Sequence, residues 1–178
     1  MAEHPDIDIL ARSELFRGVS VDALREVQAA AFRKRFAAGD TVLRQDDAVT
    51  TLYVVVVGRL RVTQTALDGQ QIIIRYLGPG EVAGYTSLSG GDVHPGTVAA
   101  VDDSHLIGMP SAVLREIMVR HSSIAMNAAS LLGARYRDLQ VRLRELATEK
   151  VERRIAHTLL RLAQQAGRRT ARGIEIVF

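Results

Sequence analysis

No cysteine occurs among the 178 residues, which removes disulfides, thiolate metal sites and cysteine-ligated iron–sulfur clusters together. Nor does any stretch approach the ~20 consecutive apolar residues that a membrane-spanning helix needs, so no membrane partner is expected. The opening residues Met1-Ala2-Glu3-His4-Pro5-Asp6 are acidic and lack the apolar core of a secretory signal, and cytoplasmic residence is the expectation. The signatures of catalysis are missing as well. There is no P-loop, no Gly-x-Ser-x-Gly and no histidine–carboxylate pair set by an evident motif, so an enzyme is not expected. Internal repeats and low-complexity tracts are also absent.

What is present is a run of glycine-punctuated short strands that ends in one long, heptad-patterned helix. An apolar content of 47% with 24% charge is that of an ordinary globular chain, and 178 residues suffice for one well-buried domain plus an appendage. Ile7, Ile9-Leu10 and Leu15-Phe16 form a helical apolar stripe closed by Gly18, and Ser20 caps a second helix containing Leu24 and Val27. Strand signals follow at Phe32–Phe36, Thr41–Leu43 and Thr51–Val57. The last ends in four consecutive valines, which suit a strand buried on both faces. Arg59 to Thr65 alternates so that Leu60 and Val62 face inward, Asp68-Gly69 makes a hairpin turn, and Gln71 to Leu77 returns as a strand. Val98–Val101 and Ser104–Met109 read as a further hairpin over Asp102-Asp103. The predicted architecture is mainly β with α: a double-stranded β-helix, or jelly-roll barrel, over about residues 15–110, preceded by helices.

Pro110-Ser111 opens a short helix to Arg120, and a long helix then runs from Ser122 to about Ala147. Its apolar residues recur every seven: Ala129, Tyr136 and Leu143 at one position, Ala125, Leu132, Leu139 and Leu146 at the other. Arg135 and Arg142 flank that seam. The pattern predicts a parallel two-stranded coiled coil and hence a homodimer through residues 122–147. A seam this short is marginal alone, so the barrels should contribute to the dimer. A further helix covers Val151 to Gln164, Gly167 ends it, and a strand starts at Gly173-Ile174.

Charge is distributed unevenly along the chain. Residues 1–132 carry 12 basic and 15 acidic side chains, whereas residues 133–178 carry 11 basic and 5 acidic, a balance of +6. All of those basic residues except Lys150 are arginines, which suit phosphate contact. Either a solvated helical face or proximity to nucleic acid accounts for them.

Five segments in register carry a resemblance. Leu15-Phe16-Arg17-Gly18-Val19, Phe36-Ala37-Ala38-Gly39-Asp40, Leu52-Tyr53-Val54-Val55 with Gly58-Arg59-Leu60, Gly78-Pro79-Gly80-Glu81, and Arg154-Ile155-Ala156-His157-Thr158-Leu159-Leu160 resemble the Crp/Fnr family of bacterial transcription regulators. The resemblance implies a cyclic-nucleotide-binding-type effector domain over residues 1–120, a dimerisation helix over 121–148 and the start of a winged helix-turn-helix over 149–178. The helix-turn-helix itself would follow the strand at Ile174–Phe178. The implied partners are a second copy, a small-molecule effector and, for the full-length protein, DNA and RNA polymerase.

In cAMP-binding members the segment after Gly-Glu is a phosphate-binding cassette, so the resemblance implies an effector pocket at Gly80, Glu81, Gly84, Tyr85, Thr86, Ser87, His94, Gly96 and Thr97, with Tyr136 and Leu139 closing it from the long helix. The glycine spacing survives, but the ligand contacts do not. The glutamate expected at the ribose is Tyr85, the arginine–serine pair expected at the phosphate is Pro95-Gly96, and the hydroxyls expected at the base are Leu139-Gln140. A phosphate desolvated without a paired arginine costs several kcal/mol, so cAMP is not the expected ligand. The replacement stays open between a haem with His94 as axial ligand, a polar effector bound by the Tyr85 hydroxyl, an anionic metabolite, and no effector. Two classes compete for the whole chain: a ligand-gated transcription regulator, and a cyclic-nucleotide-type regulatory module of an enzyme or channel. The heptads, the Arg-Ile-Ala segment and the arginine-rich third favour the regulator.

Overall fold

A computed structural model of the chain describes residues 5–88, 90–171 and 173–176. The polypeptide begins with α1 (Pro5–Arg12) and α2 (Val21–Ala30). Ser20 caps α2 as its sequence suggests, its hydroxyl accepting the Ala23 N–H at 3.4 Å. Eight strands follow: β1 (Phe32–Phe36), β2 (Thr41–Leu43), β3 (Thr51–Val57), β4 (Leu60–Thr65), β5 (Gln71–Leu77), β6 (Val82–Ala83), β7 (Thr97–Ala100) and β8 (Ser104–Pro110). They form two antiparallel four-stranded sheets, ordered β1-β8-β3-β6 and β2-β7-β4-β5. This is the jelly-roll sandwich that the spacing of turn residues predicts.

The period of two along each strand separates two apolar layers. Tyr53 and Val55 of β3 join Leu43, Leu60, Leu77, Val98 and Leu106 between the sheets. Leu52 and Val54, pointing the other way, join Leu24, Val27, Ile117, Ile124 and Leu131 under the helices. The valine run is thus buried on both faces through Val55. Past a register shift against β8 it emerges, and Val57 is exposed. A second shift, between Val62 and Thr63, leaves Val62 only half-buried and turns Thr63 inward.

One expected hairpin is absent. β7 pairs with β2 and β4, and β8 pairs with β1 and β3, so the Asp102-Asp103 turn carries the chain from one sheet to the other. Asp102 fixes that corner by accepting the Arg59 N–H at 2.7 Å and the Arg59 Nε–H at 3.1 Å. Short turns between apolar runs look alike in sequence whether they fold back within a sheet or cross between sheets.

Three helices follow: α3 (Ser111–Arg120), α4 (Ser122–Thr148) and α5 (Val151–Ala166). Pro110 occupies the cap position of α3, and Ser111 is buried in the first turn without capping it. A hairpin of β9 (Gly167–Thr170) and β10 (Gly173–Ile176) comes last; Val177 and Phe178, where the final strand was expected to continue, lie outside the described residues. No helix among the described residues is long and apolar enough to cross a membrane.

The long helix presents two stripes. Ile124, Ala128 and Leu131 are buried against the barrel side, and Arg135, Arg142 and Glu145 continue that stripe at spacings of three, four and seven. The heptad stripe lies elsewhere on the helix. Ala125 and Leu132 are half-buried at its start, Ala129 is exposed, and Tyr136, Leu139, Leu143 and Leu146 are 61–65% exposed. The two arginines beside the seam therefore reach back to the barrel.

Candidate effector pocket

The short β6 pairs with β3 and ends at Gly84, where the chain turns into a 3-10 helix at Tyr85–Leu88. Gly84 has a φ of +79°, and a Cβ there would lie 3.0 Å from the Thr51 carbonyl and 3.1 Å from Leu43. Only glycine meets both demands. The chain then returns along the loop after β2, with Val49 N–H donating to the Asp92 carbonyl (3.0 Å), His94 N–H to the Asp47 carbonyl (3.0 Å) and Asp46 N–H to the His94 carbonyl (2.9 Å). These bonds fold His94 inward, where its side chain is 3% exposed. Burial pushes the His94 imidazole below its ordinary value, with Asp47 opposing.

Between the sheets lies a cavity of about 50 Å³. Its walls are mostly aliphatic, among them Leu43, Val62, Leu77 and Val98, and its polar groups come from Arg75, Tyr85, Thr86 and His94. Gly96 closes one side so tightly that a Cβ would stand 2.6 Å from the Thr63 carbonyl.

Of the residues expected in the pocket, Gly84, Tyr85, Thr86, His94 and Gly96 line it. The others do not. Gly80 abuts the backbone of Arg12 and Ser13. Thr97 uses its hydroxyl to accept the Gln45 N–H at 3.1 Å. Ser87 is the buried residue of the 3-10 helix, its carbonyl accepting from Arg115 at 3.3 Å. Tyr136 and Leu139 lie on the exposed stripe of α4, because only the stripe through Arg135 and Arg142 faces the barrel.

Glu81 also stands behind the wall. One oxygen accepts the Gly78 N–H at 2.8 Å, and the other pairs with Arg75 Nη2 and lies 3.6 Å from Arg135 Nη2. Arg135 in turn holds Glu14, whose Oε1 accepts the Val82 N–H at 3.1 Å. Arg142 donates to the Ile74 carbonyl at 2.6 Å. The long helix thus touches the pocket's rear wall through two arginines.

Sequence reasoning missed Arg75. Its signal was an arginine inside the apolar strand Ile72-Ile73-Ile74-Arg75-Tyr76-Leu77, a charge that such a strand can bury only with a partner. Burial lowers the Arg75 guanidinium from its ordinary value, with Glu81 as the largest opposing influence.

A haem does not fit these residues. The cavity of about 50 Å³ is small for a macrocycle, and the expected lining from Tyr136 and Leu139 is on another face of α4. Among the described residues no group of three histidines or carboxylates could hold a metal ion.

The sandwich, the cassette after β6 and the flanking long helix define a cyclic-nucleotide-binding-type sensor domain. Residues 33–121 match the family model of the cyclic nucleotide-binding domain. The chain is 30% identical over 153 residues to the cyclic AMP receptor protein of Thermus thermophilus, covering 86% of this chain and 71% of that one. The crystal structure of the Thermus thermophilus catabolite activator protein superposes with a TM-score of 0.69 at 29% identity, over 76% of this chain and 63% of that chain. This chain thus spans somewhat under two thirds of that structure. A lysophospholipase of Aspergillus terreus is 28% identical over 102 residues, which are 57% of this chain and 7% of the enzyme. The chain belongs to the cyclic nucleotide-binding domain family, as a sensor domain of the Crp type found in transcription regulators.

Proposed function

We propose that this chain is the effector-binding and dimerising part of a Crp/Fnr-type transcription regulator, in which a small ligand between the sheets controls DNA binding through α4. Residues 1–120 hold the effector, 121–148 pair two copies, and 149–178 begin the DNA-binding domain. The full-length protein then works in the cytoplasm on DNA and RNA polymerase. The observation that carries this reading is the exposed apolar seam Tyr136, Leu139, Leu143 and Leu146 on a helix whose barrel-facing stripe is already occupied. A surface of that kind, at heptad spacing, is what a second copy buries. The likeness to a cyclic AMP receptor protein runs over 86% of this chain and 71% of that protein at 30% identity, whereas a lysophospholipase of Emericella nidulans matches over 78% of this chain at 24% identity and over only 9% of its own length. That contrast favours a regulator over a module of an enzyme. Sedimentation equilibrium of this chain tests it: a dimer is expected, and a monomer at all concentrations would remove the basis for transmission through α4.

The effector is not cAMP in this reading. Tyr85, Pro95 and Gly96 stand where the resemblance puts the ribose and phosphate contacts, and the cavity of about 50 Å³ is small for a nucleotide.

A further inference from the structure

We propose that Arg75 reads the effector, and that the effector is a short-chain monocarboxylate of about three or four carbons; the proposal rests on the reading of this cavity as the effector site. The cation in question comes from β5 and not from the cassette, where Pro95 stands at the position of the family's phosphate-gripping arginine.

The donors come first. Arg75 engages Glu81 through Nη2 and the neighbouring Tyr76 carbonyl through Nε at a long 3.4 Å, and among the described residues its Nη1 makes no hydrogen bond. A guanidinium carries five N–H donors in a planar fork that matches a carboxylate edge-on. Glu81 does not serve Arg75 alone, since its two oxygens also meet the Gly78 N–H and lie near Arg135. Arg135 stands beside Arg75 as a second cation, so the two guanidiniums share Glu81 and Glu14. A ligand carboxylate at Nη1 would add the charge-assisted bonds that Arg75's own partners leave unmade.

Size and wall chemistry set the remainder. The cavity of about 50 Å³ is small, which favours a ligand of few heavy atoms. Leu43, Val62, Leu77 and Val98 offer only methyl groups and outnumber the polar Tyr85, Thr86 and His94, so the rest of the ligand is mostly hydrocarbon. His94, buried and with its imidazole pushed below the ordinary value by that burial, adds a polar group beside them.

Calorimetry on this chain with sodium butyrate and with butyramide, its neutral isostere, tests the assignment, with amide NMR shifts at His94 and Gly96 locating the site. Butyrate is expected to bind at least tenfold more tightly than butyramide and to shift both amides. Arg75→Gln should abolish that preference, and Arg75→Lys should keep part of it. Equal binding of the two probes, or a preference that survives Arg75→Gln, overturns the carboxylate assignment while the pocket stands as an effector site. If neither probe perturbs the cassette at millimolar concentration, the pocket reading falls together with the proposal. The comparison of the two probes on the unaltered chain decides the matter even where Arg75→Gln does not fold.

Discussion

Arg135 Nη2 lies 2.9 and 3.1 Å from the two carboxylate oxygens of Glu14, joining the long helix to the turn that follows the first one. Glu14 Oε1 also accepts the Val82 N–H, so the same carboxylate anchors the strand that leads into the cassette. A partly buried charge that loses its partner costs more than an exposed pair contributes. Glu14→Gln should therefore destabilise the chain by about 1–3 kcal/mol, read as a lower urea midpoint at unchanged slope. A change within experimental error would mean that solvent replaces the carboxylate and that α4 is held by apolar packing alone.

The seam on α4 makes a separable prediction. Leu139 and Leu143 are 63% and 65% exposed in the single chain, so charging them removes nothing from the protomer's own core. Leu139→Glu with Leu143→Glu should convert a dimer to a monomer in sedimentation equilibrium. The β-rich circular dichroism of the protomer should be preserved. A persistent dimer would place the interface on the barrels and leave the heptads without a role.

How much of this was visible in the sequence depends on the kind of pattern involved. Strand limits at Thr51–Val57 and Gln71–Leu77 were legible because Gly58, Asp68-Gly69 and Gly78 bound β-branched runs. The seven-residue period located α4 but could not say which side of it meets the barrel. That choice depends on Ile124, Ala128 and Leu131, which pack on partners distant in sequence. In the protomer Tyr136 and Leu139 lie on the exposed stripe of α4, while Arg135 and Arg142, which flank the seam as the heptads imply, also reach back to the barrel. Arg75 escaped notice because its pairing with Glu81 joins β5 to the turn before β6 and belongs to no motif. The Asp102-Asp103 corner was misread because local turn chemistry carries no information about which sheet comes next.

His94 predicts how stability varies with pH. Burial lowers its folded pKa below the 6.5 of a free imidazole, and Asp47 opposes the shift. Between the folded value and 6.5 the unfolded chain binds more protons, so stability rises with pH there. The contribution is fully present above about pH 6.5 and is lost as pH falls through that window. His94→Gln should flatten this part of the profile, measured as urea midpoints at about pH 7.5 and about pH 5. An equally steep decline in the variant would mean that other groups govern acid lability.

The cassette itself supplies the last prediction. Restoring the family's phosphate grip with Pro95→Arg and Gly96→Ser brings back the expected residue types, yet the local geometry opposes both. Gly96 faces the Thr63 carbonyl, and a Cβ would stand 2.6 Å from that oxygen, well inside van der Waals contact. Thr63 cannot withdraw easily, because β4 is paired with β5 on one side and β7 on the other. Overpacking of this kind typically costs about 1–3 kcal/mol. The Pro95 carbonyl, which accepts from Gln64 Nε2 at 2.8 Å, would also be displaced by any shift that relieved the clash. The double variant should therefore be less stable than the parent and should still show no calorimetric signal for cAMP at micromolar affinity, about −8 kcal/mol. Gly96→Ala, which adds the Cβ alone, should account for most of the lost stability. Micromolar cAMP binding by the double variant, with stability maintained, would mean that the sheets separate readily around this cavity, and the small volume would then no longer limit what the pocket accepts.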